Sequence, residues 1–272
     1  GGLLRWGIPE YRLPNAIVDR DIADILEVGI ELRTSTPVTD LASLFNQGFD
    51  AVYLATGALS SRRMGIPGEN TPGVMHALSF LKKVNLGQKV EIGNRIAVIG
   101  GGNAAVDAAR VALRLGAQDV TIIYRRSREE LPALAEEIEE AEREGIKLHI
   151  LANPTRVLTA DGKLKGLRCV RMQLGSPDAG GRRRPVPVEG SEFDVEVDTV
   201  IIAVGQEVDK ETLPSNLQFT SFGTLQVDPE TLQTNVEGVF AGGDVVSGPA
   251  DVIAAIASGR LAASSIDSYL GG

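Results

Sequence analysis

Helical spacing marks five stretches of the sequence, in which apolar residues recur every three to four positions. These predicted helices cover residues 14–28, 75–84, 104–115, 127–145 and 251–269. Gly29 and Gly116 follow the first and the third of them. Because glycine readily adopts the left-handed conformation that ends many helices, we expect both helices to stop there.

Strand-like patterns fill most of the sequence between these helices. Predicted strands, most of them rich in apolar residues as buried strands are, lie at residues 51–55, 95–99, 120–124, 199–203 and 238–241. Short ones are predicted at 225–227 and 30–32. Alternating patterns predict an antiparallel meander over residues 147–151, 156–159, 167–174 and 192–197, turning at Asp161-Gly162 and in a loop at 175–184. Alternating strands and helices predict a doubly wound α/β fold.

A glycine-rich turn joins the predicted strand 95–99 to the helix that follows. Residues 96–105 read I-A-V-I-G-G-G-N-A-A, a G-x-G-x-x-A pattern in the strand–turn–helix context of a dinucleotide site. Gly100 would permit the tight turn, Gly102 the approach of a pyrophosphate, and Ala105 close packing of helix and strand. The candidate pyrophosphate-binding residues are Gly100, Gly101, Gly102, Asn103, Ala104 and Ala105. The alternative is a loop that only connects a strand to a helix.

The residues after the predicted strand 120–124 indicate which nucleotide would bind. NAD sites place a carboxylate about 20 residues after the first glycine, whereas NADP sites use arginine. Here Arg125 and Arg126 stand 25 and 26 positions after Gly100. Two guanidinium groups suit a 2′-phosphate, so we predict NADP. Alternatively, one or both arginines pair with the glutamate-rich helix that follows.

A second glycine signature lies near the end of the sequence. Residues 234–244 read T-N-V-E-G-V-F-A-G-G-D, and a helix rich in small residues follows. Glycines would admit a large flat cofactor, Asp244 would accept a hydrogen bond from a ribityl hydroxyl, and the helix N-terminus would stabilise negative charge on a ring. The candidate flavin residues are Gly243, Asp244, Ala250, Asp251 and Val252. The alternative is an aspartate that only caps the helix.

Composition excludes several other classes of protein. Hydrophobic residues make up 43% and charged residues 23% of the 272 positions, as in globular domains. A net charge of −9 gives no overall attraction for nucleic acid or anionic membranes. One cysteine and two histidines predict no disulfide, no cysteine-ligated cluster and no metal site. No apolar run or signal peptide suggests a membrane, so we expect a cytoplasmic protein.

The motifs together resemble the glutamate synthase small subunit family of flavoprotein oxidoreductases. The resemblance rests on residues 1–14 (G-G-L-L-R-W-G-I-P-E-Y-R-L-P), 100–107 (G-G-G-N-A-A-V-D), 124–133 (Y-R-R-S-R-E-E-L-P-A) and the pattern at 234–244. Two further segments, L-A-T-G ending at Gly57 and A-V-G ending at Gly205, resemble the strands that join the FAD and NAD(P) domains of that family. The family includes homologous parts of dihydropyrimidine dehydrogenase and of the electron-bifurcating ferredoxin:NADP oxidoreductase large subunit.

The resemblance implies a fold with two dinucleotide-binding domains, NADPH and FAD as cofactors, and hydride exchange between them. Electrons would then pass to an iron–sulfur domain or a partner redox subunit. It implies an FAD domain formed by residues 1–62 and 205–272 around an NADP domain at 63–204. Thr56 and Gly57 would lie where the chain passes the flavin, with Gly205 in the second crossover. No side chain is required as an acid or base, so none is nominated as catalytic.

The sequence also departs from the family pattern. It carries no cysteine-rich cluster region and no second G-x-G-x-x-G unit for FAD, and it does not begin with methionine. We therefore expect a piece of a longer chain with an incomplete FAD domain, and a second function stays open: an NADP-binding module without turnover. Cys169 is predicted to be a packing residue. Arg182, Arg183 and Arg184 are predicted to form a flexible surface turn, with an anion site as the alternative.

Overall fold

The computed structural model describes residues 1–177 and 181–272. Eight α-helices are described: α1 (Leu3–Trp6), α2 (Asn15–Glu27), α3 (Leu41–Asn46), α4 (Ala77–Asn85), α5 (Asn103–Arg114), α6 (Ala135–Arg143), α7 (Asp244–Ser247) and α8 (Val252–Tyr269). Twelve strands are described: β1 (Val52–Leu54), β2 (Ser60–Ser61), β3 (Val74–His76), β4 (Arg95–Ile99), β5 (Asp119–Tyr124), β6 (Lys147–Ile150), β7 (Ala152–Ala160), β8 (Lys163–Pro177), β9 (Arg183–Glu196), β10 (Thr199–Ile202), β11 (Gln206–Glu207) and β12 (Val239–Ala241).

The described residues form two compact units. The larger unit contains Gly1–Ile30 and Arg63–Val204, and the smaller unit contains Glu31–Arg62 and Gly205–Gly272. The chain thus leaves the smaller unit after residue 62 and returns to it at residue 205. The sequence-based division set its boundaries at these same two positions. That the middle part, residues 63–204, binds NADP stays a prediction.

A five-stranded parallel sheet forms the centre of the larger unit, in the order β3-β10-β4-β5-β6. Its central strands are apolar because both of their faces are covered, as in other parallel sheets. Ile96 and Val98 of β4 pack in one core with Phe80 of α4 and the small residues of α5. Ala105, Ala108, Ala109 and Ala112 of α5 are all fully buried, so that the helix lies close to the sheet.

A second, antiparallel sheet of β7, β8 and β9 belongs to the same unit. Its inward residues, including Leu167 and Cys169, form a core with Ala97 and Ile202 from the other face of the parallel sheet. The predicted meander is therefore present over three strands. The predicted loop 175–184 includes residues 178–180, which lie outside the described residues.

The smaller unit contains two short sheets and the long helix α8. β1 pairs with β12 in parallel, and β2 pairs with β11 antiparallel. Leu54, Val239 and Ala241 of the parallel pair are buried in a core with Leu225 and Val245. Several apolar side chains of α8 are exposed, including Ile253 at 79% and Ile256 at 54%.

The amino-terminal segment, residues 1–14, packs on α4 and α5 of the larger unit. The side-chain amide of Asn85 donates hydrogen bonds to the carbonyl oxygens of Trp6 and Ile8, both at 2.9 Å. The Lys82 ammonium lies 4.1 Å from the centre of the Trp6 ring. These contacts explain why residues 1–30 group with 63–204, whereas the sequence-based division placed them with residues 31–62.

Five sequence-based predictions of secondary structure need correction. The stretch 127–145 is not one helix: Ser127 caps a short 3₁₀ helix at Arg128–Glu130, and α6 starts only at Ala135. Pro132 explains the break because it cannot donate within a helix and disfavours helical geometry in the residue before it. The stretch 147–151 is not part of the meander, since β6 pairs in parallel with β5.

The other three corrections concern shorter segments. The helix predicted at 75–84 begins at Ala77, because residues 74–76 extend the parallel sheet as β3. The predicted strand at 225–227 is reduced to a single bridge between Phe219 and Leu225, and residues 30–32 are not assigned to a strand. Among the described helices, none has the combination of length and apolar character needed to cross a membrane.

Candidate nucleotide-binding site

The glycine turn lies at the carboxyl end of β4, where the strand passes into α5. The amide of Gly100 donates to the carbonyl oxygen of Ile123 at 3.0 Å, which ties the turn to β5. Gly100 has a φ of +144°, and a Cβ atom built on it would lie 2.3 Å from the carbonyl oxygen of Ala203. Only glycine fits this position, because the obstructing atom is backbone of the neighbouring strand end.

Gly101 and Gly102 differ in their surroundings. A Cβ atom on Gly101 would lie 2.6 Å from the Tyr124 ring, whereas on Gly102 its nearest neighbour would be Pro132 Cγ at 4.0 Å. Gly102 caps α5, and its carbonyl oxygen accepts from the amides of Ala105 at 2.9 Å and Val106 at 3.2 Å. The space beside Gly102 is therefore open, at the positive end of the helix dipole.

The accessible part of this turn comprises Gly102, Asn103 and Ala104. Asn103 is exposed, Gly102 and Ala104 are partly exposed, and Ala105 is fully buried against the sheet. The first backbone N–H groups of a helix have no acceptor within it and point outward, which suits an anion. The Asn103 side chain accepts a hydrogen bond from the Leu134 amide at 3.1 Å and so fixes the segment before α6 beside the turn.

The two predicted phosphate-binding arginines have different environments. Arg125 is exposed directly after β5. Arg126 is 8% exposed, and its Nε donates to the carbonyl oxygen of Arg183 at 2.9 Å. The structure therefore leaves Arg125 facing solvent at the strand end, while Arg126 holds the β8–β9 hairpin.

Arg182 and Arg183, at the start of β9, lie close to the end of β5. Arg182 Nη2 donates to the Tyr124 hydroxyl at 3.3 Å, and Arg183 Nε donates to Glu130 Oε1 at 3.0 Å. The Tyr124 hydroxyl in turn donates to the carbonyl oxygen of Glu130 at 2.7 Å. Arg182 and Arg183 thus contact the candidate nucleotide site, and Arg183 and Arg184 belong to β9 rather than to the predicted turn. Local sequence could not show these contacts, because they join residues more than 50 positions apart.

A cavity of about 620 Å³ lies between the hairpin and the segment after β5. One wall contains Leu131 and Pro132, and the other contains Pro177 and Gly181. The charged lining residues are Glu129, Glu130, Arg182 and Arg183.

In the smaller unit, the Gly242-Gly243-Asp244 corner is packed tightly against α8. A Cβ atom on Gly242 would lie 2.2 Å from Ser258 Oγ and 2.3 Å from the Tyr53 hydroxyl. The Gly243 amide donates to Ser258 Oγ at 3.0 Å. Gly242 therefore allows close approach of α8, whereas Gly243 is favoured by its positive φ of 69°. Both glycines thus have a structural reason within the chain.

Asp244 and Asp251 both accept hydrogen bonds at the start of α8. Asp244 Oδ1 accepts from the Ala250 amide at 3.2 Å, and Asp251 Oδ1 accepts from the Ala254 amide at 2.7 Å and caps the helix. Burial raises the pKa of Asp244, the Ala250 hydrogen bond opposing the change. Ala250, Asp251 and Val252 are exposed, so the start of α8 is accessible.

The residues predicted for the two crossings also lie in the smaller unit. Thr56 is exposed, and Gly57 adopts a positive φ of 75°. The carbonyl oxygen of Gly205 accepts from the Arg62 amide at 3.0 Å, next to the β2–β11 pair.

Cys169 is fully buried within β8. Burial raises the pKa of its thiol to about 12, with a smaller contribution from Asp194. A thiol in this state is neutral at physiological pH and a poor nucleophile. The prediction that Cys169 is a packing residue agrees with this environment.

The chain matches the family model described as pyridine nucleotide-disulphide oxidoreductase over residues 20–259. It is 47% identical to the NADP(+)-dependent formate dehydrogenase subunit beta of Moorella thermoacetica over 99% of this chain, but covers only 39% of that protein. It is 37% identical to a putative glutamate synthase [NADPH] small chain of Cereibacter sphaeroides, covering 99% of this chain and 68% of the relative.

The fold is also found among solved structures. FprA from Mycobacterium tuberculosis, in a complex with NADPH, superimposes with a TM-score of 0.78 at 19% identity, over 99% of this chain and 74% of that one. The resemblance inferred from the motifs is confirmed, as is the α/β fold class. The chain belongs to the pyridine nucleotide-disulphide oxidoreductases and, among them, to the glutamate synthase small-chain family.

Proposed function

We propose that this chain provides the NADPH-binding part of a flavoprotein oxidoreductase. The observation that carries the proposal is the accessible N-terminus of α5 at Gly102–Ala104, beside Arg125 at the end of β5. A diphosphate would lie against the open face of Gly102 and accept hydrogen bonds from the first amides of the helix. Arg125 would contact the 2′-phosphate and so select NADPH over NADH.

In the smaller unit, the start of α8 fits a flavin. Asp244 keeps one carboxylate oxygen, Oδ1, on the Ala250 amide, and residues 250–252 are exposed at the positive end of an 18-residue helix. Together these features can bind a hydroxyl-bearing chain and a polar ring edge. The chemistry that the two bound cofactors would supply is exchange of a hydride between NADPH and FAD, which needs positioning rather than an acid or base from the protein.

The whole protein's activity is a further part of the proposal. The chain spans 39% of the formate dehydrogenase subunit and 44% of the NADPH-Fe(3+) oxidoreductase subunit beta of Geobacter sulfurreducens. Both names describe subunits, which supports delivery of electrons to an iron–sulfur domain or a partner redox subunit. A cytoplasmic location is part of the same proposal, supported by a composition with a single cysteine, as in proteins of reducing compartments.

Titration of NADP⁺ and NAD⁺ by calorimetry tests the nucleotide site. Replacement of Arg125 by Ala is expected to weaken NADP⁺ binding about 10- to 100-fold, since hydrogen bonds to charged groups contribute about 1.5–3 kcal/mol. NAD⁺ binding should change little. Arg156→Ala, a control at an exposed position of β7, should bind both nucleotides like the parent chain. Equal losses for both nucleotides would show that Arg125 does not contact the 2′-phosphate.

A second function, nucleotide binding without turnover, is favoured by one observation. The sequence contains a single G-x-G-x-x-A unit, and it serves β4 and α5. Titration with FAD, followed by NADPH under exclusion of oxygen, separates the two functions by visible absorbance. Bound yellow flavin that bleaches on addition of NADPH supports the oxidoreductase. NADPH binding without retained flavin supports the binding module.

A further inference from the structure

We propose that the β8–β9 hairpin completes the nucleotide site, with Arg182 as a specificity-determining contact for the 2′-phosphate. In this arrangement the cavity beside the hairpin receives the adenosine end of the nucleotide. The inference rests on the proposed function, because it assigns a further part of the same NADP site. It concerns the arginine triplet for which the sequence favoured a surface turn over an anion site.

The first argument is the position of Arg182. Its guanidinium donates to the hydroxyl of Tyr124, the last residue of β5. In dinucleotide folds the group that distinguishes NAD from NADP stands at the end of this second strand. Arg182 therefore reaches, from a distant part of the sequence, the same strand end that Arg125 occupies locally.

The second argument is the shape of the cavity. A volume of about 620 Å³ lies within the range of small-molecule sites. Leu131, Pro132 and Pro177 provide apolar surface on its two walls. Apolar walls suit the faces of a purine ring. Arg182 and Arg183 line the same cavity, where a guanidinium could contact the phosphate attached to the ribose.

The third argument is the charge balance of the lining. The Glu130 carboxylate accepts from the Ser127 amide and hydroxyl, at 3.3 and 3.1 Å, and from Arg183 Nε at 3.0 Å. Its charge is thereby paired with Arg183. Glu129 and Arg182 complete the charged lining, which holds two acidic and two basic side chains. The exposed Arg125, the residue after Tyr124, adds a further positive charge at the end of β5. A doubly charged 2′-phosphate would be stabilised by two guanidinium groups.

Arg126 links the hairpin to the strand end. Because it bonds the main-chain carbonyl of Arg183, it is a positioning residue: it fixes the hairpin that carries Arg182. The predicted pair of arginines is thus replaced by Arg125, which directly follows β5, and Arg182, whose guanidinium contacts Tyr124 at the end of the same strand.

The test is calorimetric titration of the parent chain and variants with NADP⁺, NAD⁺ and 2′,5′-ADP. Arg182→Ala should weaken NADP⁺ and 2′,5′-ADP at least tenfold and NAD⁺ less than threefold. Arg182→Gln, which keeps a polar side chain of similar length, should show the same selectivity and guards against loss of folding in the alanine variant. Arg184→Ala is the matched control, since it removes a neighbouring cation that does not line the cavity.

The outcomes separate this inference from the proposed function. NADP⁺ affinity unchanged in both Arg182 variants, with tight binding by the parent chain, overturns the hairpin contact and leaves the nucleotide site standing. Equal loss of NADP⁺ and NAD⁺ also overturns it, because a general structural role would then explain the effect. A parent chain that binds neither NADP⁺ nor 2′,5′-ADP overturns both proposals.

Discussion

At the scale of single residues, Gly100 and Gly102 are glycines for different reasons. Gly100 combines a positive φ with backbone 2.3 Å from where a Cβ would stand, whereas Gly102 has a φ of −89° and open space around it. The fold therefore demands the first glycine, and an incoming ligand would demand the second.

Alanine at each position should separate stability from binding. Gly100→Ala should lower the free energy of unfolding by at least about 2 kcal/mol, because strain and a backbone clash add together. Gly102→Ala should unfold like the parent chain in urea but bind NADP⁺ at least tenfold more weakly, since its methyl group would occupy the diphosphate approach. Strong destabilisation by Gly102→Ala would contradict the open geometry.

The charge cluster of α5 and α6 predicts a dependence of stability on pH. Glu144 accepts from Arg114 at 2.8 and 2.9 Å and from Arg110 at 2.8 Å. The hydrogen bond from Arg114, ahead of that from Arg110, lowers the pKa of Glu144 from 4.5 to about 2, against the opposing effect of burial. A carboxylate with a lowered pKa in the folded state stabilises that state above its unfolded pKa and loses this contribution as pH falls.

The parent chain should therefore exceed Glu144→Gln in stability most clearly above pH 5. The difference in the free energy of unfolding should shrink between about pH 4.5 and pH 2, the interval bounded by the two pKa values of Glu144. Urea unfolding at intervals across this range measures it. A difference that stays constant down to pH 2 would show that Glu144 is not held by the arginines.

At the scale of elements, the amino-terminal segment is fastened to α5 by a partly buried ion pair. Arg12 Nη1 lies 3.0 Å from both carboxylate oxygens of Asp107, whose side chain is 7% exposed. Burial raises the pKa of Asp107, and Arg12 opposes the rise. Tyr11 packs beside this pair, its ring 4.2 Å from the Arg114 guanidinium.

Loss of Arg12 should leave a buried carboxylate without its main partner. Arg12→Ala is expected to cost about 3 kcal/mol in the free energy of unfolding, and Asp107→Asn added to it should recover part of that loss. Arg20→Ala is the control: Arg20 pairs with Asp21 at 3.3 Å in an exposed position, so its loss should cost under about 0.5 kcal/mol. Equal effects of the two alanine variants in urea would contradict the role of the buried pair.

Sequence predicted the elements whose signals are local. The strand at 95–99 has the predicted bounds, because an apolar run meets a glycine turn at one end. The prediction of one helix over 127–145 was wrong because it followed the helical spacing of the apolar residues and neglected Pro132. The ring of Pro132 interrupts the helix. β6 was misplaced because an alternating pattern can also occur in an edge strand of a parallel sheet with one face partly exposed.

The site was predictable only where its residues are close in sequence. The glycine turn and Arg125 follow from strand–turn–helix order, and the structure places them at neighbouring strand ends. Arg126 and Arg182 could not be distinguished, since their environments depend on a hairpin that returns from residues 163–196. The spacing of apolar residues within a short stretch of sequence does not show which distant segments pair with each other.

At the scale of the whole molecule, the two units differ in how completely their sheets are built. The larger unit has a five-stranded parallel sheet whose central strands are fully covered, while the smaller unit relies on two-stranded pairs. Two strands alone are marginal in water and need packing from other elements. α8 exposes Ile253 and Ile256, so its apolar residues contribute only partly to that packing.

Hydrogen exchange should resolve this difference. Amides of β4, β5 and β10 are expected to exchange most slowly, and those of β1, β12 and α8 at least tenfold faster, because local opening is easier where fewer apolar contacts must break. Added NADP⁺ should slow exchange in the larger unit at the start of α5. Similar rates in both units would indicate a single cooperative structure.

The side chain of Asn85 in α4 binds the amino-terminal segment through main-chain atoms of that segment. Its two amide hydrogens are occupied by peptide oxygens at positions 6 and 8, groups that every amino acid carries. Replacing Trp6 or Ile8 would leave both hydrogen bonds in place, although loss of Trp6 would also remove its ring contact with Lys82. One replacement at position 85 would remove both hydrogen bonds together. For these two hydrogen bonds, many substitutions are therefore tolerated at positions 6 and 8 of the amino-terminal segment, but few at position 85 of α4.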